Sequence, residues 1–365
     1  MAKYVLYGTE MSYFSGKARS YLRWKGLDLE ERLADQRFYE DVCVPKIGRR
    51  VIPVTLLPDG TAMQDTTELF DYFESAYESP SFSPVNAQQQ FLASLLELWA
   101  DNWLLIPAMY YRWEYEAEVN ALDFGMDLFP DLSAQEQAEI GRKASTMFRG
   151  ALPLLGIHPH NKQRVEDNWR AVLAELDAHF RAVPFLLGER PTIADFALTG
   201  ALYAHMYRDA TAGTLMKREG LAVARYVEKM MVPRASLSGA FPESRELPPT
   251  LVPILKRIMS EQIPAVVDIA ARLSAWREEN PATEIPRVIG THSFVFEGVR
   301  EERSIFPYVV WMADRTKVMY DRFREEEPES SENVIQMIGG EVLDSLIIKD
   351  PLAIKDHAIV WRNEM

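Results

Sequence analysis

YVLYGTEMSYFSGKAR, residues 4–19, passes from a β-rich run through a break into a helix, and its reading decides the fold. Tyr4 to Tyr7 is short and rich in strand formers, and Gly8-Thr9 interrupts it. From Tyr13 to Lys25 the apolar side chains Phe14, Ala18, Tyr21 and Leu22 recur at helical spacing until Gly26 stops the pattern. Working outward, a second strand is expected near Leu29 to Leu33, followed by an irregular helical stretch between Gln36 and Val44. Val51 to Leu57 then meets the turn Pro58-Asp59-Gly60, and Thr61 to Met63 returns as a hairpin partner. Thr66 to Ala76 closes the region as an amphipathic helix carrying Leu69, Phe70, Tyr72 and Phe73. The order is βαβαββα.

The chain has 365 residues, which suits two domains plus an extension, and its 47% hydrophobic residues are ample for buried cores. Forty Lys and Arg face 54 Asp and Glu, a formal charge of −14, so nucleic acid and anionic membranes are not expected partners. The amino terminus reaches polar Gly8-Thr9-Glu10 before a signal-peptide core forms, and no run approaches the ~18 apolar residues of a membrane helix. The single cysteine, Cys43, can form neither an internal disulfide nor a zinc cluster. A cytoplasmic location is expected.

Residues 77–86 have linker composition with two prolines, and helical periodicity dominates after them. One long segment runs from Gln88 to about Glu118 with a bend expected at Pro107, and another opens with the capping box Ser133-Ala-Gln-Glu136. Asn161 to Val183, a helix beginning near Pro191-Thr192, Gly220 to Met231 and Leu251 to Glu279 continue the helical pattern. The last third is mixed: a hairpin turning near Gly298, a helix from Val309 to about Glu326, an acidic loop and a tail. The expected divisions are 1–78, 87–232 and 233–365.

Three features of the first region carry chemistry. Ser12 stands where it caps a helix, and a thiol brought to that positive end could accept its hydrogen bond as thiolate. A free thiol titrates near ~8.5, and each unit of depression reflects about 1.4 kcal/mol of preferential stabilisation. Ile52-Pro53-Val54 opens a strand with a residue that cannot donate to the ladder, a place where cis bonds and an outward-facing backbone occur. Gln64-Asp65-Thr66-Thr67 opens the closing helix with capping residues that also offer amides, a hydroxyl and a carboxylate to an amino acid. Ordinary helix capping would account for Ser12, Asp65 and Thr66 taken singly.

Taken together, their order and spacing resemble the glutathione transferase superfamily. Ser12-Tyr-Phe-Ser-Gly-Lys-Ala-Arg19 is similar to its Ser/Cys-Pro-Phe-x-x-Lys/Arg-x-Arg run, Ile52-Pro53 to its Val-Pro, and Asp65-Thr66 through Tyr72-Phe73 to its Glu-Ser-x-x-Ile-x-x-Tyr-Leu. Pro184-Phe-Leu-Leu-Gly188 through Thr192-Ile-Ala-Asp195 is similar to its folding box, so the resemblance covers residues 4 to about 232. It implies an α/β thioredoxin-like amino-terminal domain and an all-α second domain, followed here by a mixed α/β extension. It also implies glutathione as co-substrate, a homodimer, and roles for individual residues. Ser12 would stabilise the thiolate, Ile52 beside Pro53 would pair with the cysteinyl backbone, and Gln64, Asp65 and Thr66 would hold the γ-glutamyl end. Tyr13 replaces the usual proline, which keeps Tyr13, Tyr7 and Ser15 open as alternative donors. Val51 stands where a lysine is common, so Arg49 or Arg50 would bind the glycyl carboxylate.

A pocket for a small hydrophobic or aromatic electrophile is expected from Trp103, Tyr110 and Tyr111, for which core packing is the competing explanation. The implied activities are conjugation, dehalogenation, ether cleavage and isomerisation, all beginning with the thiolate and often serving detoxification. A non-catalytic binding or scaffold protein of the same fold is the alternative. Ser15-Gly16-Lys17 echoes a phosphate loop, but Met11 and Ala18 break that motif. His158-Pro-His160 lacks a clear third metal ligand, no metal is expected, and Cys43 is expected to be inert.

Overall fold

The computed structural model describes residues 3–233, 246–281 and 284–364; the division expected near 233 borders on residues outside these. The chain forms two compact units that interleave along the sequence. One comprises Met1–Ser83, Pro107–Leu152 and Asp195–Ser238; the other comprises Pro84–Ile106, Pro153–Ala194 and Gly239–Met365.

The first unit is built on β1 (Tyr4–Gly8), α1 (Tyr13–Lys25), β2 (Leu29–Leu33), α2 (Gln36–Phe38), α3 (Val44–Ile47), β3 (Val54–Leu56), β4 (Ala62–Met63) and α4 (Thr66–Ala76). A wider helical turn, Tyr39–Cys43, joins α2 to α3 and accounts for the irregularity expected there. The sheet order is β2-β1-β3-β4, with β1 and β2 parallel and the other pairs antiparallel, so this unit contains the expected thioredoxin-like arrangement. Gly26 ends α1 with φ 71°, the left-handed conformation that costs glycine nothing. Cys43 lies fully buried in the cluster of Tyr7, Phe38, Tyr39 and Val54, and burial pushes its thiol pKa up.

On the other side of α1, Tyr21 packs against Phe70, Phe82 and Phe196 with ring centroids 4.2, 5.8 and 5.3 Å away. Ser20 and the Trp24 indole both donate to the Met230 carbonyl at 2.8 Å. A half-buried carboxylate, Glu74, organises the segment after α4. It accepts from Lys25 Nζ at 3.0 Å, the Tyr21 hydroxyl at 2.8 Å and the Phe82 amide at 2.8 Å. Burial alone would raise its pKa, but these hydrogen bonds outweigh burial and hold it below the ordinary value.

The helices Ala117–Leu128 and Ala134–Gly150 of the same unit pack backbone to backbone at two glycines. A β-carbon on Gly125 would lie 1.9 Å from the Gln137 carbonyl oxygen, and one on Gly141 would lie 1.7 Å from that of Ala121. The Ser133–Glu136 capping box is formed as expected.

In the second unit, Ala87–Leu98 packs along Tyr308–Glu326, with Phe91 stacked on Phe323 at 5.9 Å and Ser94 bonded to Thr316 at 3.1 Å. The hairpin β5 (Thr291–Phe296) and β6 (Val299–Ser304) turns at Gly298, φ 73°, and a second hairpin joins β7 (Leu352–Lys355) to β8 (Ala358–Trp361). Two expectations need correction. The long helix breaks before Pro107: Trp99–Trp103 is a wide turn closed by the Leu104 amide on the Trp99 carbonyl at 3.3 Å. Pro107 then sits in the first turn of Leu105–Tyr115, where its missing N–H costs no bond. The acidic loop after Glu326 is instead a helix, Pro328–Ile338, because Ser331, Val334, Ile335 and Ile338 form a buried stripe that the surrounding charge obscures. Pro328 and Glu329 suit its first turn.

Among the described residues no helix is long and apolar enough to cross a membrane.

Gly141→Ala should destabilise the chain by roughly 1–3 kcal/mol or more in chemical denaturation, since rigid backbone must move. Gly150→Ala, with no atom within 4 Å of the new β-carbon, should be neutral or stabilising. Glu74→Gln should cost about 3 kcal/mol at neutral pH by leaving the buried Lys25 ammonium without its carboxylate counter-charge. Because the native Glu74 pKa is depressed, its contribution is complete above the unfolded value of about 4.3 and is lost as pH falls through the lower folded value. The gap in melting temperature between wild type and variant should therefore narrow below about pH 4.3.

Candidate functional site

Strand direction brings three separate sequence features to one end of the sheet. β1 ends at Gly8, and Tyr7 pairs with Val54, the first residue of antiparallel β3. Thr55 in turn pairs with Met63, the last residue of β4. The turn into α1, the Ile52-Pro53 segment and the Gln64–Thr66 segment therefore emerge side by side. The Ile52-Pro53 peptide bond is cis.

At the start of α1, Ser12 is extended, with φ −87° and ψ 125°, and its Oγ accepts the Ser15 amide at 3.2 Å. Among the described residues this first turn carries no acidic side chain, so the positive helix end keeps no internal counter-charge there. Of the four hydroxyls named from sequence, Ser12 is the one that is not buried. Tyr13 is 4% exposed and sits edge-on to His205 at 5.5 Å. Ser15 is fully buried, so close beneath Gly8 that a β-carbon on Gly8 would lie 2.6 Å from its Oγ. The Tyr7 hydroxyl accepts from Arg32 at 3.0 Å while its ring stacks on Phe38 at 4.6 Å.

At the start of α4, Asp65 Oδ1 accepts from the Thr67 and Glu68 amides at 2.9 and 3.0 Å, and Thr66 follows it, also buried. Lys17, fully buried on α1, donates to Thr67 Oγ1 at 3.2 Å and lies 4.9 Å from the Phe70 ring. A buried ammonium in the second turn of α1 thus ties that helix to the start of α4. Gln64 Oε1 accepts from Arg49 at 2.8 Å, while Arg50 donates to Gln36 at 2.7 Å and covers Tyr39 at 4.3 Å. Two helix amino termini and three basic side chains give this region the donors that carboxylates require. Cys43 takes no part: its thiol donates to the Arg49 and Val51 carbonyls at 3.1 and 3.3 Å.

The aromatic residues fall into two groups. Tyr110 and Tyr111 are buried in the first unit, their rings perpendicular at 5.4 Å, with Tyr111 stacked on Tyr115 at 5.6 Å. Trp103 belongs to the second unit, where its indole donates to Glu261 at 3.3 Å and its ring meets Phe294 at 5.7 Å. Burial raises the pKa of Glu261 against the pull of Arg257. His158 and His160 stack at 5.4 Å, and His160 bonds Glu301 at 2.9 Å. Among the described residues no cluster of three or more His, Cys, Asp or Glu is arranged to hold a metal ion.

No curated protein matches the chain. Among solved structures it is similar to a beta-etherase from Sphingobium sp. strain SYK-6, at 16% identity over 65% of this chain and 97% of that one, with a TM-score of 0.48. It is also similar to a glutathione S-transferase from Rhodospirillum rubrum F11, at 18% identity over 66% and 96%, with a TM-score of 0.41. A glutathione transferase from Phanerochaete chrysosporium gives 17% identity over 65% and 98%, with a TM-score of 0.44. Residues 6–81 match the glutathione S-transferase N-terminal domain family and residues 159–227 the C-terminal domain family. With both domain families matched in order on one polypeptide, the chain belongs to the glutathione S-transferase superfamily.

Proposed function

We propose that the chain is an enzyme that binds glutathione across the end of the β1–β3–β4 sheet and activates its thiol at the start of α1. The observation that carries this reading is Ser12: a partly exposed hydroxyl at a helix amino terminus, on the same sheet end as Ile52-Pro53 and Asp65-Thr66. Ser12 donates its hydrogen bond to the thiolate, and the helix end adds favourable field. Its Oγ can accept the Ser15 amide and donate outward at once, because a hydroxyl offers both functions. Tyr13, Ser15 and Tyr7 are buried, and they support the turn rather than touch sulfur. The backbone of Ile52, beside Pro53, pairs with the cysteinyl unit. Gln64, Asp65 and Thr66 receive the γ-glutamyl end, and Arg49 or Arg50 receives the glycyl carboxylate.

The electrophile is small and hydrophobic or aromatic; Tyr110 and Tyr111 of the first unit are enclosed, and so is Trp103 of the second. Thiolate attack then leads to conjugation, dehalogenation, ether cleavage or isomerisation. Catalysis draws on the lowered thiol pKa and on holding the sulfur beside its target. The working form is a cytoplasmic homodimer acting in detoxification. The ordered hairpins and helices after residue 246 lie outside both matched domain families and favour one second reading, a non-catalytic binding protein of the same fold.

Titrating the ultraviolet absorbance of bound thiolate tests the first reading. Wild type should bind glutathione and lower its thiol pKa by about two units from the free value near 8.5. Activity should rise with pH through that lowered value, since the thiolate is the reactive form. Ser12→Ala should move the rising limb toward the free thiol's pKa and lower kcat about tenfold or more. Binding without turnover across an electrophile panel would select the second reading, and unchanged pKa and turnover in Ser12→Ala would remove Ser12 from the mechanism.

A further inference from the structure

Arg112 lies near the end of Leu105–Tyr115 and is 3% exposed. Its Nε and Nη2 bond both oxygens of Asp209, at 2.8 and 2.9 Å. Its remaining donors go to main-chain carbonyls, Nη1 to Met11 at 2.5 Å and Nη2 to Ala204 at 2.6 Å. Each partner departs from its ordinary local use. Asp209 immediately precedes the helix Ala210–Glu219, where an aspartate usually caps its own helix, yet it makes no capping bond. Ala204 lies in the wide helical turn Leu202–Tyr207. The Arg208 amide, which an α-helix would direct to Ala204, bonds Tyr203 instead at 3.1 Å, leaving the Ala204 carbonyl for Arg112.

The Met11 carbonyl and the Ser12 amide share one planar peptide group, so holding the first orients the second. The Ser12 amide reaches the Thr9 carbonyl at only 3.4 Å, a weak bond that would leave this peptide loosely set without Arg112. Beside the same turn, His205 is buried and carries Tyr13 against its ring, so the residues on both sides of Ser12 are gripped. Burial and the nearby Arg112 charge hold His205 neutral.

We propose that Arg112, anchored by Asp209, is a positioning residue that fixes the Met11–Ser12 peptide and so aims the Ser12 hydroxyl at the glutathione sulfur. This rests on the assignment of Ser12 above. A charge-assisted bond to a carbonyl is stronger and shorter than a neutral one, and the forked guanidinium sets direction as well as distance. Lysine could reach one of these acceptors but could not hold the fork.

The test uses Arg112→Met combined with Asp209→Asn, which removes both buried charges together, and Arg112→Lys alongside. Amide exchange at Ser15 and Gly16, the amides bonded to Ser12, reports the turn without any ligand. The double variant should exchange there about tenfold faster than wild type, and the pKa of the bound glutathione thiol should rise. Its kcat should fall about tenfold while KM for glutathione stays within about threefold, with Arg112→Lys between the two. A folded double variant with wild-type exchange, thiol pKa and kcat overturns the proposal. Should the double variant not fold, Asp209→Asn alone, which keeps Arg112, must show the same effects in weaker form or the proposal fails. A wild type that binds no glutathione defeats the Ser12 assignment instead, and the exchange measurement then decides whether Arg112 fixes the turn.

Discussion

The antiparallel pairing of β3 with its two neighbours governs the arrangement of the first unit. A strand paired antiparallel starts where its neighbour ends, so Val54 opposite Tyr7 sets Pro53 beside the exit of β1. The same rule at Thr55 and Met63 sets Gln64 and Asp65 beside them. Were β3 parallel to β1, its first residues would lie at the far end, and no choice of side chains could bring Ser12 and Asp65 to one edge. The gathering of the residues proposed for glutathione is therefore a consequence of strand direction before it is one of chemistry.

Around that edge the unit uses buried charge to define geometry. Lys17 ties the second turn of α1 to the first turn of α4, Arg112 reaches the carbonyl just ahead of Ser12, and Lys25 with Glu74 ties α1 to the segment after α4. Buried ions recover their desolvation cost only when nearly all their donors and acceptors are satisfied. Arg112 and Lys25 each make several directed bonds, to one carboxylate and to two main-chain carbonyls. Such contacts add little net stability over an apolar core but set register and direction, which the role proposed for Ser12 requires.

Close backbone approach serves the same end by other means. Gly125 and Gly141 let two helices meet with carbonyls where side chains would stand, and Gly8 admits the Ser15 hydroxyl beneath the turn. Burial of Tyr7, Tyr13 and Ser15 leaves Ser12 as the accessible one of these four hydroxyls, and the role proposed for it rests on packing around the turn rather than on the identity of any one residue.

Local signals were legible without the structure: the caps at Ser12, Asp65 and Ser133, the stop at Gly26, the Gly298 hairpin and the βαβαββα order all depend on neighbours a few residues away. Motif order was legible too, because Ser12, Pro53 and Asp65 keep their spacing in one dimension. The Pro328–Ile338 helix was obscured because charge density speaks louder in sequence than a four-residue buried stripe. Only tertiary structure decided which hydroxyl stays exposed, where the aromatic side chains are enclosed, and that Arg112 meets Asp209 across 97 residues of sequence. Burial and long-range ion pairing depend on what else arrives in space, and no local pattern of residues carries that information.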